Sequence, residues 1–114
     1  MSSLAFVFPG QGSQAIGMLN GFAGNAVVAD TIAEASDALK VDLGKMIADG
    51  PKEDLDLTTN TQPVMLACAV AFYRAWIAAG GATPAVVAGH SLGEYSALVA
   101  AGVIDFNDAV PLVR

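Results

Sequence analysis

One histidine, one cysteine and five basic residues among 114 leave little room for several common kinds of chemistry. Lys40, Lys45, Lys52, Arg74 and Arg114 are scattered, and the formal net charge is −6. No basic stripe exists on which a phosphate backbone would condense, so nucleic acid is excluded as a partner. The single cysteine, Cys68, forms no internal disulfide, which fits a reducing compartment. Its neighbours Leu66, Ala67, Ala69 and Val70 make it a small packed hydrophobe rather than a reactive thiol. No basic stretch opens the chain, so Met1-Ser2-Ser3-Leu4 is a poor start for a signal peptide. The longest apolar run, residues 63–81, is broken by Arg74 and is short for a membrane span of ~20 apolar residues.

Apolar residues are what the chain has in excess: 54% are hydrophobic, only 14% are charged, and mean hydropathy is +0.55. A small fold has much surface to cover with polar groups. The expectation is therefore a piece of a larger cytoplasmic globular body.

Residues 4–8 form a short β-favouring run closed by Pro9-Gly10, which reads as a buried strand. Val27, Val28, Ile32, Ala35 and Leu39 recur at helical spacing and predict a helix over residues 26–39. A shorter helix is expected over 41–48, then one turn plus connection over 52–59. Asn60 or Thr61 is expected to cap a helix whose first turn holds Pro63 and which stops at Gly80-Gly81. That helix is apolar nearly all round and should be covered on every side. A second buried strand is expected over 85–88, then a helix over 94–101, then one capped by Asp105 and still running at Arg114. Strand, helices, strand, helix implies an α/β fold with parallel strands. Two strands are few for a parallel sheet, which is normally buried on both faces. The chain reads as a truncated domain.

Gly89-His90-Ser91-Leu92-Gly93 fits Gly-x-Ser-x-Gly between the second strand and its helix. A serine there sits on a sharp turn with its hydroxyl raised at the carboxyl end of the strand, and the helix N-terminus favours a developing oxyanion. The bland alternative is a capping box, Ser91-Leu92-Gly93-Glu94, that merely starts a helix. Capping alone does not call for glycine on both sides. Serine also needs a base at roughly 2.6–3.2 Å. His90 is the only histidine, and neighbouring side chains on a sharp turn diverge. It is read as a shaping residue, and the base is expected outside these residues.

Phe8-Pro9-Gly10-Gln11-Gly12-Ser13 follows the first strand. If the strands are parallel, this loop opens beside the elbow, and a backbone N–H from it can join that of Leu92 in an oxyanion hole. As a phosphate loop it lacks both a third glycine and a Lys-Ser/Thr pair; a bare turn is the alternative. The helix at 94–101 and the one after Asp105 each rise on the order of 15 Å, so a helical hairpin returns Arg114 to the level of Ser91. A guanidinium there would grip a carboxylate. The alternative is a solvated terminal arginine.

Phe6-Val7-Phe8-Pro9-Gly10-Gln11-Gly12-Ser13-Gln14, Asn60-Thr61-Gln62-Pro63 and Gly89-His90-Ser91-Leu92-Gly93-Glu94-Tyr95-Ser96-Ala97 together resemble the malonyl-CoA:acyl carrier protein transacylases of bacterial fatty acid synthesis. The resemblance implies an α/β-hydrolase-like large subdomain of the acyltransferase fold, with residues 1–114 its N-terminal part. An inserted ferredoxin-like subdomain and the C-terminal part would be absent. It implies Ser91 as the malonylated nucleophile, the N–H groups of Gln11 and Leu92 as the oxyanion hole, and Arg114 as the ligand of the malonyl carboxylate. Gln62 and His90 would lie near the pocket. The partners implied are acyl carrier protein and malonyl-CoA, with a coenzyme A thioester as substrate, no permanent cofactor and no metal. The whole enzyme is expected to be a monomer, and the piece alone inactive and prone to self-association.

Three rivals remain. A polyketide synthase acyltransferase domain shares the motifs. A patatin-like or other serine esterase would excuse the missing histidine through a Ser-Asp dyad, but it suits Arg114 poorly. A folding unit or assembly fragment is the non-enzymatic alternative.

Overall fold

The expected order of strands and helices is the observed one. The computed structural model describes residues 4–10, 12, 14–22 and 24–113. It contains β1 (Ala5–Phe8), a 3-10 turn (Asn20–Phe22), α1 (Ala26–Leu39), α2 (Leu43–Asp49), α3 (Lys52–Asp56), α4 (Thr58–Ala78), β2 (Val86–Gly89), α5 (Gly93–Ala100) and α6 (Phe106–Leu112). β1 and β2 pair in parallel, with Ala5 opposite Val86 and Phe8 opposite Gly89. The fold is mixed α/β.

Helix α4 is the axle. From Pro63 to Ala71 every residue is buried, as an all-round apolar helix requires. On one side it meets Val28, Ile32 and Ala35 of α1 and Ala109 and Val110 of α6. On the other, Ala69 and Tyr73 meet Phe6 and Phe8 of β1 and Ala97 of α5. Phe6 packs edge-on to Tyr73 at 5.4 Å. The Arg74 guanidinium bonds Glu34 at 2.8 Å and lies 4.7 Å from the Phe106 ring centroid, joining α4, α1 and α6.

Several expectations need correction. Asn60 and Thr61 do not cap α4, which begins at Thr58 after Leu57, where no side chain caps it. The Asn60 amide instead donates to the Asp54 carbonyl at 2.9 Å, and the Thr61 hydroxyl donates to the carbonyls of Leu55 and Leu57. These polar side chains satisfy carbonyls of the preceding turn, so the helix starts earlier and Pro63 falls in its second turn.

The expectation that α6 still runs at Arg114 falls outside the described residues. Helix α6 ends at Leu112 with Val113 as its C-cap, and Pro111 within it removes a donor from the last turn. Asp105 stands at the N-cap but makes no side-chain cap bond. Nor do α5 and α6 form a close hairpin, because α6 lies chiefly along α1. Arg114 itself lies outside the described residues.

The strands, expected to be buried, are covered on one face only among the described residues. α4 and α5 pack on the side carrying Phe6, Phe8 and Val87, while Val7 is 76% and Val86 60% exposed on the other. Strand residues alternate in direction, so a sheet with helices on one side presents every second residue outward.

Candidate active site

Parallel pairing sends the loops after β1 and β2 off the same edge of the sheet. The pairing continues one residue further, since the His90 N–H donates to the Phe8 carbonyl at 3.2 Å. The chain then reverses tightly: Gly93 N–H donates to His90, Glu94 to Ser91 and Tyr95 to Leu92, each at 3.0 Å.

Ser91 sits at the apex with φ of 55°. Among the described residues the only other non-glycine in that left-handed region is Lys40, at the C-cap of α1, where the conformation is ordinary. For serine it costs about 1 kcal/mol or more and persists only where surroundings impose it. The Ser91 side chain is exposed, and among the described residues its hydroxyl makes no hydrogen bond. The capping box is not formed: the Glu94 N–H bonds the backbone carbonyl of Ser91, not its hydroxyl.

The flanking glycines are what close the turn. A Cβ on Gly89 would overlap the Gly93 carbonyl, and one on Gly93 would overlap the Phe8 carbonyl. Strand end, helix start and the neighbouring strand therefore touch backbone to backbone. Gly10 brings the first loop equally close, because a Cβ there would stand 2.7 Å from the His90 carbonyl oxygen.

Leu92, the N-cap of α5, buries its side chain in the main core. Among the described residues its N–H makes no hydrogen bond. His90 is exposed, and its Nδ1 lies beside Gly10. Gln62 is half-buried on α4, and among the described residues no hydrogen bond joins it to Ser91 or His90. Gln11 and Arg114 lie outside the described residues.

Cys68 is 1% exposed, and burial pushes its thiol from 9.0 up to about 12. It is packing material. Among the described residues no group of three or more His, Cys, Asp or Glu is placed to hold a metal ion, and no helix is long and apolar enough to cross a membrane. Clefts of about 490 and 450 Å³ lie along α1 and between β1 and α4, and neither includes Ser91.

Two features of the region escaped sequence reasoning. Gln14 bridges the first loop to Asp56, with a 42-residue separation that no local pattern reveals. Ser96, one turn into α5, is 1% exposed with a hydroxyl that has no partner among the described residues.

Residues 5–114 match the acyl transferase domain family. The malonyl CoA-acyl carrier protein transacylase of Escherichia coli K12 is 58% identical over 115 residues, covering all of this chain and 37% of that protein. Its counterpart in Bacillus subtilis 168 is 47% identical, again over the whole of this chain and 36% of the relative. Among solved structures, the acyl-carrier-protein S-malonyltransferase of Burkholderia pseudomallei 1710b superimposes with a TM-score of 0.97 at 70% identity, over 98% of this chain and 36% of that one. A type II PKS acyl-carrier protein in complex with its malonyl-transacylase gives 0.95 at 56% identity, over 98% of this chain and 37% of that one. The chain thus spans little more than a third of the length of the curated relatives it matches.

Proposed function

Because this chain belongs to the acyl transferase domain family, we propose that it carries the nucleophile of an enzyme moving malonyl groups from coenzyme A to the phosphopantetheine thiol of acyl carrier protein. The observation that carries the reading is Ser91: an exposed hydroxyl held in the left-handed region at the carboxyl edge of parallel strands, beside the N–H of Leu92, which makes no hydrogen bond among the described residues. The relatives named malonyl transacylase add the substrate.

Ser91 Oγ attacks the thioester carbonyl as its proton passes to a base. The carbonyl oxygen becomes an oxyanion, received by the N–H of Leu92 and, in this reading, that of Gln11. Collapse breaks the carbon–sulfur bond, and coenzyme A leaves as a thiol with the proton returned by the base. The carrier thiol then attacks the malonyl-serine ester, and the same steps run in reverse order. Since His90 is the only histidine and adjoins Ser91, the base in this reading is a histidine outside these 114 residues. The remaining catalytic segment and an inserted ferredoxin-like subdomain belong there too.

Arg114 enters as the ligand of the malonyl carboxylate, and Gln62 as a residue near the pocket, both through the resemblance. The setting is cytoplasmic, with no permanent cofactor. Acyl carrier proteins are acidic and this chain carries −6, so the basic docking contacts belong mainly to the rest of the enzyme.

Intact-mass analysis of the full-length protein after malonyl-CoA treatment tests the assignment. A single malonyl adduct is expected, absent in Ser91→Ala. An adduct that persists in that variant, or acetyl-CoA serving as well as malonyl-CoA, overturns it.

A further inference from the structure

We propose that Gln14 is a positioning residue for the loop facing the elbow, tying the Gly12 peptide to Asp56 on α3. The proposal rests on the acyl-transfer reading, in which that loop supplies one oxyanion donor.

The tie is a relay of three bonds. The Gly12 N–H donates to Gln14 Oε1 at 2.8 Å, Gln14 Nε2 donates to Asp56 Oδ1 at 3.1 Å, and Lys52 Nζ donates to Asp56 Oδ2 at 2.5 Å. A side-chain amide accepts on its oxygen from one partner and donates from its nitrogen to another; glutamate loses the donor and leucine loses both. The bonds to Lys52 and to Gln14 hold the Asp56 carboxyl below its ordinary value, so it stays an acceptor. Asp56 is 38% exposed, so the relay contributes geometry more than stability.

Gly12 needs such a restraint. Its φ of 112° belongs to a backbone that only glycine adopts freely, and a Cβ there would meet none of the described residues within 4 Å. Among the described residues no packing holds it. Two residues earlier, Gly10 is pressed against the His90 carbonyl. The loop is thus anchored to the elbow at Gly10 and to α3 at Gly12, on either side of position 11. Oxyanion donors accelerate a reaction only when they need not reorganise as charge develops. A restraint on the peptide next to the donor acts on that term.

Steady-state kinetics and intact-mass analysis of the full-length protein test the tie with Gln14→Leu, Gln14→Glu and the double variant Gln14→Glu/Asp56→Asn. Each single variant is expected to lower kcat about 10-fold with KM for malonyl-CoA little changed, since the loss falls on the transition state. The double variant exchanges donor and acceptor, keeps the net charge and is expected to recover most of kcat. Parental kcat in both single variants overturns the proposal. So does a double variant as slow as Gln14→Glu, or a lowered melting temperature with kcat per folded molecule unchanged. A parent enzyme with no Ser91 adduct removes the acyl-transfer reading and this role with it. A parent that acylates yet is indifferent to Gln14 removes the tie alone.

Discussion

The carbonyl of Phe8 accepts the N–H of His90 at 3.2 Å, one residue beyond the last paired strand position. That bond holds the two loops side by side where Ser91 turns outward. The elbow is accordingly braced by β1 as well as by its own strand and helix.

Gly93 offers the sharpest test of that bracing. Gly93→Ala places a methyl group on the Phe8 carbonyl, and overpacking of this kind costs roughly 1–3 kcal/mol. We expect a lower denaturant midpoint and, in the full-length enzyme, slower malonyl adduct formation. Parental values for both would mean that β1 and the elbow are not in backbone contact.

Ser91→Gly and Ser91→Ala should part company in stability while both abolish the adduct. Glycine tolerates the φ of 55° at Ser91, whereas alanine retains the penalty of about 1 kcal/mol. Chemical denaturation of the two variants is expected to place glycine above alanine. Equal midpoints would show that the turn is unstrained.

Cys68 makes a prediction about alkaline pH. Its folded thiol stands at about 12 against 9.0 when free, so between those values the unfolded chain sheds a proton that the folded chain keeps. Stability then falls as pH rises from 9.0 toward 12, and is unaffected by Cys68 below 9.0. Urea midpoints across that window, compared with Cys68→Ala, measure the slope. In the folded protein the thiol should resist alkylation until denaturant is added; rapid labelling at neutral pH contradicts the burial.

Arg114→Met in the full-length enzyme tests the proposed carboxylate contact. If Arg114 holds the malonyl carboxylate, preference for malonyl over acetyl donors should fall by about 10-fold or more, the scale of a lost charge-assisted pair. An unchanged preference assigns the carboxylate to another guanidinium, an outcome that the packing of α6 along α1 makes worth testing.

The elbow was legible because its determinants are five consecutive residues whose steric needs are local. Helix α1 was legible for a similar reason: Val28, Ile32 and Ala35 mark its buried face at regular spacing. The start of α4 misled because Asn60 and Thr61 hydrogen-bond backward as readily as they cap forward. Matching helix rises suggested a hairpin, yet rise says nothing of direction, and Phe106 beneath Arg74 ties α6 to α4, whose Arg74 also bonds Glu34 of α1. The Gln14–Asp56 bond joins positions that only the folded chain brings together.

Among the described residues the two strands form a ribbon whose outer rims carry no strand partner, with Val7 and Val86 bare on one side. Such a ribbon is a template: unsatisfied amides and carbonyls along its margins recruit whatever extended chain arrives first. For the 114 residues handled alone, the competing guest is another copy, and the monomeric fraction should fall steeply as concentration rises.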